Sequence, residues 1–349
     1  MKGTHTYAMD ALVWLGPRKM ELRHEPVPSP GPGEVLVEVA AVGICGSELS
    51  GYLGQNSLRR PPLIMGHEAA GRIAFDSDAS LSHGSPARAG TRVTINPLLT
   101  CGACDLCQSG KNNLCRHRQL IGAHRPGAFA GYVAVPAHLC VPLPDHVSLT
   151  LGSLTEPLAC GVRAVAHADA PQRLVILGAG PIGLLCLIAA RAAGVERVLV
   201  SDVSERRLAM ARAWGATATV NARDNVLAAV QAFAPGGADA AIDAVGLTVT
   251  RDQAVRAVTP GGRAVLIGLH EEESVFAANH VVRQEITVVG SFAYSDTDFQ
   301  RALDLLAMGR VSLDGDWLEE RPLAAGPAAF EELIAGATRA VKIVLQVEE

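Results

Sequence analysis

The sequence predicts an α/β protein of two domains, a mostly-β segment followed by a doubly wound parallel sheet. Three observations predict it. At 349 residues the chain exceeds what one ordinary core holds. From about residue 9 to 157, short β runs broken by Gly and Pro recur, among them 34–41, 92–96 and 131–135. From about 172 to 292, apolar strands alternate with Ala-rich helical stretches, the pattern of a parallel sheet wound by crossover helices.

Taken in order, the strand candidates of the second region are 174–177, 198–200, 240–242, 264–267 and 286–289. A helix over 298–308 and an apolar run at 341–347 follow, and that run is expected to return to the first domain. Residues 1–8 read as an extension ahead of Met9, the expected start. Hydrophobic residues at 49% and charged residues at 19% exclude a disordered chain.

A net charge of -5, spread without a basic block, favours neither nucleic acid nor an anionic membrane, so small molecules are the expected partners. The longest apolar stretch, 175–190, is interrupted by Gly and Pro and falls short of the roughly 20 residues of a membrane span. The apolar run 11–15 is too brief for a secretory signal. A cytoplasmic location is therefore expected. There thiols stay reduced, so eight cysteines point to metal sites and buried thiols before disulfides.

Gly178, Gly180 and Gly183 form Gly-x-Gly-x-x-Gly after the strand 173–177 and before the helical run 182–193, with Pro181 and Ile182 completing the turn. That context gives the motif its meaning: a tight turn, a close approach of backbone to pyrophosphate, and a helix N-terminus whose N–H groups meet the phosphates. Asp202 ends the next strand, where a carboxylate bonds ribose hydroxyls and repels a 2′-phosphate, so NAD is favoured. Arg206 and Arg207 close behind keep NADP open.

Cys101, Cys104, Cys107 and Cys115 make C-x2-C-x2-C-x7-C, spaced to surround one tetrahedral ion. A closed structural zinc is expected; an iron–sulfur cluster is the rival, although the fourth Cys comes late and Arg116 rather than Pro follows it. Cys45 and the triplet Gly66-His67-Glu68 offer a thiolate, an imidazole and a carboxylate from separate loops, which can hold a second zinc with one position open. Taken separately, a buried Cys is usually core and a lone His is more often a structural residue than a ligand.

Cys45-Gly46-Ser47, Gly66-His67-Glu68, the four-Cys lobe and the glycine turn stand in the order found in zinc-dependent medium-chain dehydrogenases, which the chain resembles over nearly its whole length. The resemblance implies a GroES-like catalytic domain over 1–157 and 294–349, with the zinc lobe near 97–118, and a Rossmann NAD-binding domain over 158–293. Thr155-Glu156-Pro157 is similar to the sorbitol, threonine and sugar-alcohol branch, which implies Glu156 as the further zinc-site residue; Cys160, one turn on, competes. Cys45, His67 and Glu68 are then the catalytic zinc ligands. A thiolate and one carboxylate neutralise the ion, so Glu156 is expected either to ligate reversibly or to hold water.

Ser47 resembles the family hydroxyl that contacts the substrate oxygen; as an alternative it caps a turn. Glu48 stands where the family more often has Asp orienting the His ligand. Val245, Leu269, Ser291 and Phe292 resemble the stretches that line the nicotinamide, and read equally as plain strand ends.

The match departs from the family at three places. Ser50 replaces a relay His, Phe292-Ala293-Tyr294 supplies only the Tyr of a polyol-binding Arg–Tyr pair, and Asn96-Pro97 lies where threonine dehydrogenases carry a His. The resemblance implies zinc as Lewis acid, NAD as hydride acceptor, a secondary alcohol or polyol as substrate, and a homotetramer or homodimer. Threonine-type oxidation, a non-catalytic dinucleotide-binding protein with structural zinc only, and a zincless quinone reductase are the alternatives.

Overall fold

The computed structural model of the chain describes residues 8–311 and 316–347, so the extension expected before Met9 lies outside the described residues apart from Ala8. Contacts divide the chain into two compact units, Met1–Glu156 with Ser312–Glu349, and Pro157–Val311. The second cut falls later than the return expected at 294. The reason is the helix Asp296–Ala307, which buries Phe299, Ala302, Leu303 and Leu306 along one face. Its Asp298 also takes a 2.9 Å ion pair from Arg163 of the helix Thr155–His167.

The first unit is built on a seven-stranded sheet ordered Cys140–Pro142, Arg92–Ile95, Glu68–Ile73, Glu34–Gly43, Lys342–Gln346 and Leu318–Pro322, with Tyr132–Pro136 also paired to Glu34–Gly43. The apolar run near the C-terminus thus returns as expected, pairing Val344 with Gly43. That pairing brings Lys342 to the end of Glu34–Gly43 that leads into Cys45. A second sheet joins Ala8–Gly16 to Lys19–Pro26 and Leu63–Ile64. Between them lies a core of aliphatic side chains with Trp14, Tyr52, Phe129 and Phe330, the last two edge to face at 5.8 Å.

The second unit is a six-stranded sheet, ordered Ala218–Asn221, Arg197–Asp202, Arg173–Leu177, Ala238–Asp243, Val258–Leu266 and Thr287–Gly290, parallel throughout. Residues 174–177 are fully buried, as a strand covered on both faces must be. Chain order reverses beside Arg173–Leu177, and ligands of such sheets bind at the carboxyl ends of the strands where that happens. The glycine turn sits at that end. Among the described residues no helix is long and apolar enough to cross a membrane.

Candidate functional site

In the first unit, Cys45 is the N-cap of the helix Gly46–Tyr52 and Glu48 its N3 residue. Glu48 is wholly buried, yet every bond it makes is to an N–H. Its Oε2 accepts from the Cys45 backbone N–H at 3.0 Å, and its Oε1 accepts from the Gly66 N–H at 2.9 Å and faces His67 Nδ1 at 2.7 Å. One carboxylate therefore ties the two ligand-bearing loops together. With Nδ1 so occupied, Nε2 is the nitrogen left to face Cys45. Gly66 must be glycine for this: its φ is +100° and a Cβ would lie 2.6 Å from the Phe129 backbone N.

The geometry brings together Cys45, His67 and Glu68, with one ligand atom of each within 4.8 Å of the others. Burial pushes the His67 pKa down, but the charges of Glu48 and Cys45 outweigh it and hold it well above 6.5. Such a pocket draws a cation. Thiolate, imidazole and carboxylate are also the donor set of an open zinc site, so the residues fit the ion the spacing suggested. Glu156, in the first turn of Thr155–His167, lies outside this set, and Cys160 one turn on is counted with the second unit.

Lys342 was not legible in the sequence. Buried like Glu68, its Nζ pairs with Glu68 Oε2 and donates to the Ile44 carbonyl at 2.9 Å. Burial lowers the Lys342 pKa, and Glu68 and Cys45 more than restore it, so the ammonium stays charged. Gly43 makes room, since a Cβ there would meet Glu68 Oε2 at 2.2 Å and Lys342 Cε at 3.0 Å. Ser47 is inside the helix rather than at its cap, so the capping alternative fails. Its Oγ donates to Cys45 Sγ at 3.5 Å. Ser50 turns its hydroxyl to the Ser47 carbonyl at 3.0 Å.

Glu48→Gln is the sharpest probe of this arrangement. The amide replaces one acceptor by an NH2 group that must confront an N–H of Cys45, Gly66 or His67. Zinc affinity at the Cys45 site should fall about 10- to 100-fold, as for lost partners of ligating His residues. Chelator competition measures it, and retention equal to the parent chain would contradict the role.

The four-Cys lobe closes on itself. Sulfur separations are 4.0 Å for Cys101–Cys107, 3.5 Å for Cys104–Cys107, 3.9 Å for Cys104–Cys115 and 3.5 Å for Cys101–Cys115. Zn–S bonds of about 2.3 Å to tetrahedral corners require roughly 3.8 Å, whereas a disulfide requires about 2.0 Å. All eight cysteines are free. Backbone N–H groups of Cys107 and Arg116 lower the Cys104 thiol to about 6, and those of Cys101 and His117 lower Cys115. Burial pushes the Cys107 thiol up, and hydrogen bonds with the neighbouring Cys104 and Cys115 sulfurs reinforce the shift.

In the second unit, Gly180 caps the helix Pro181–Ala192, and Leu184 N–H is the first to find a helical partner, at 3.0 Å on the Gly180 carbonyl. The N–H groups of Ile182 and Gly183 precede it. A Cβ on Gly183 would stand 1.8 Å from the Gly178 carbonyl and one on Gly178 2.6 Å from Val245 Cγ2, while nothing lies within 4 Å of one on Gly180. The open side of Gly180 is the cradle a pyrophosphate needs. Asp202 reaches back to it, Oδ2 accepting from Ala179 N–H at 2.8 Å and Oδ1 from Ser204 N–H at 2.9 Å. Arg207 stands 4.0 Å from Asp202.

Of the expected nicotinamide stretches, Leu269 is 83% and Phe292 41% exposed, and Ser291 carries a buried Oγ without a partner. Tyr294, expected as a polyol contact, is 1% exposed and packs on Phe299 at 5.5 Å between ring centroids. It belongs to the core, because its ring completes the packing around the helix Asp296–Ala307.

The zinc-binding dehydrogenase family matches residues 181–308, and the alcohol dehydrogenase GroES-like domain matches residues 31–145. The chain is 34% identical over 317 residues to the L-idonate 5-dehydrogenase of Vitis vinifera, covering 86% of this chain and 84% of that protein. It is 33% identical over 338 residues to the probable D-xylulose reductase A of Aspergillus terreus, covering 92% of each. The crystal structure of a short chain alcohol dehydrogenase from E. coli CFT073, complexed with NADH, superimposes with a TM-score of 0.88 at 27% identity, covering 97% of this chain and 99% of that one. The first unit is accordingly GroES-like and the second a Rossmann-type coenzyme domain, and the chain belongs to the zinc-binding dehydrogenase family.

Proposed function

We propose that the chain is an NAD-dependent zinc dehydrogenase of secondary alcohols and polyols, working in the cytoplasm as a homo-oligomer. The observation that carries the reading is the convergence of Cys45, His67 and Glu68 on one centre, with the Ser47 hydroxyl against the Cys45 sulfur. When bound, zinc supplies Lewis acidity toward the alcohol oxygen, and the nicotinamide supplies the hydride acceptor.

The chain's own residues do the rest. Cys45 and Glu68 balance the charge of the ion, and Lys342 shares Glu68 and so keeps the centre electrophilic. Ser47 accepts a hydrogen bond from the substrate hydroxyl. Glu156, being a second carboxylate that would make the centre anionic, is assigned to the hydrogen bond of an entering water or alcohol instead of direct ligation. Gly178, Gly180, Pro181, Ile182 and Gly183 seat the pyrophosphate, and Val245, Leu269 and Phe292 flank the nicotinamide.

Four cysteines spaced as one metal-binding lobe, where a disulfide framework is disfavoured, support a reducing compartment. The edge strand Thr287–Gly290 of the six-stranded sheet, whose outer side pairs with no strand among the described residues, supports association there. Relatives acting on idonate and xylulose by name support polyols and sugar acids as the substrate class.

NADH formation over polyols, diols, sugar-alcohol phosphates, sugar acids and threonine tests the reading, and an inert chain with both zincs in place would sink it. Coenzyme choice has its own test. Asp202→Ser removes the carboxylate that bonds ribose hydroxyls and frees Arg207, so kcat/KM for NAD should fall about 10- to 100-fold while that for NADP holds or rises, in line with charge-assisted bonds of about 1.5–3 kcal/mol. An unchanged NAD/NADP ratio would remove Asp202 from that role.

A further inference from the structure

Arg59 lies in the segment between the helix Gly46–Tyr52 and the strand Leu63–Ile64, and is only 4% exposed. Arginine is rarely buried so far unless paired. Among the described residues no carboxylate lies within ion-pair distance of it; Glu48 feels its charge only through space. Its Nε has no partner. Its stem crosses beneath the helix at Gly51, where a Cβ would stand 2.6 Å from Arg59 Cδ and 3.6 Å from Met65 Sδ. A buried cation held this way is unfavourable by itself.

What the guanidinium grips is one residue. Nη1 donates to the Ser47 carbonyl at 3.1 Å and Nη2 to Ser47 Oγ at 3.3 Å. The carbonyl already accepts from Ser50 Oγ at 3.0 Å, so the bond to the hydroxyl is the one no other group makes. A hydroxyl has one proton and two lone pairs. Ser47 spends its proton on Cys45 Sγ and one lone pair on Arg59, which leaves one lone pair in a fixed direction.

We infer that Arg59 is a positioning residue of the dehydrogenase, locking the Ser47 hydroxyl so that its remaining lone pair meets the substrate hydroxyl. The inference rests on the dehydrogenase reading of the Cys45 site. Gly51 belongs to the same device, because any side chain there displaces the Arg59 stem.

The test is a double-variant cycle on the zinc-loaded enzyme with sorbitol, xylitol and 2,3-butanediol as probes. R59M should lower kcat about 10- to 100-fold with KM within about threefold, the scale of a misplaced catalytic contact. S47A should lose a similar factor, R59M/S47A no more than S47A alone, and R59K should recover part of the loss. G51A should resemble R59M. Both zincs should remain. With cobalt(II) at the Cys45 site, R59M and S47A should shift the sulfur-to-metal absorption band in the same direction, since both loosen the bond onto Cys45 Sγ. Wild-type kcat in R59M, losses that multiply in the double variant, or a cobalt band moved by S47A alone would each overturn the inference. A wild-type chain that turns over none of the probes sinks the dehydrogenase reading for them, and the cobalt band still decides whether Arg59 acts through Ser47.

Discussion

Cys45→Ser should lower kcat about a thousandfold or more and reduce bound zinc from two ions per chain to one, without unfolding the protein. A seryl oxygen does not ionise near neutral pH, so the site keeps only His67 and Glu68, and Glu68 is already shared with Lys342. Two protein ligands fall short of the three an open zinc site uses. Lewis-acid stabilisation worth several kcal/mol then disappears, at about 1.4 kcal/mol for each factor of ten.

The fold has reason to tolerate the change. Cys45 caps the helix Gly46–Tyr52, its side chain facing the N3 backbone, and Ser is among the best residues for that position. A thermal midpoint within about 3 °C of the parent is expected, because a gained cap is typically worth about 1 kcal/mol. Turnover that survives undiminished would remove the metal from the mechanism. Zinc analysis and a melting curve on the same sample separate lost chemistry from lost structure.

How much of this was legible in the sequence depended on distance along the chain. The glycine turn and the four-Cys lobe were readable because their chemistry is local: donors a few residues apart, in the strand–turn–helix or close-spaced context that their ligands require. Cys45 and His67 needed a family resemblance to be joined, since nothing in their spacing says that Glu48 ties their loops together. Glu48 carries one methylene more than the usual Asp and still reaches His67 at 2.7 Å. Lys342 and Arg59 carried no local signal at all. Each reaches its partner through the tertiary fold, Lys342 by a strand that returns almost 300 residues after Ile44.

Strand reading failed where local chemistry contradicted the fold. Ala218–Asn221 is half-buried at the sheet edge and has no apolar run to announce it. Val258–Leu266 contains Pro260-Gly261-Gly262, which reads as a turn, and its pairing with Ala238–Asp243 does shift register there. Only its second half, near 264–267, looked like a strand.

Cys104→Ser should open the lobe around residues 101–118 while leaving the coenzyme unit folded. The lobe has almost no core: Asn113 and Cys115 are its buried residues, and its helix Asp105–Gln108 spans four residues. The Arg116–Asp105 bridge at 3.0 Å joins two exposed side chains, and such pairs contribute little. Four sulfurs on one ion are what remains to order it. Cys104 is also the thiol that neighbouring N–H groups lower most, to about 6. Its loss takes away the readiest ligand.

Trypsin provides the readout, because Lys111, Arg116 and Arg118 all lie in the lobe. Cleavage there should accelerate about a hundredfold or more relative to the parent, following the population of the opened segment, with bound zinc falling by one ion. The Cys45 site should keep its ion, since neither its ligands nor Glu48 touch the lobe's sulfurs. Cleavage at the parent's rate would mean that packing, and not the metal, orders the segment.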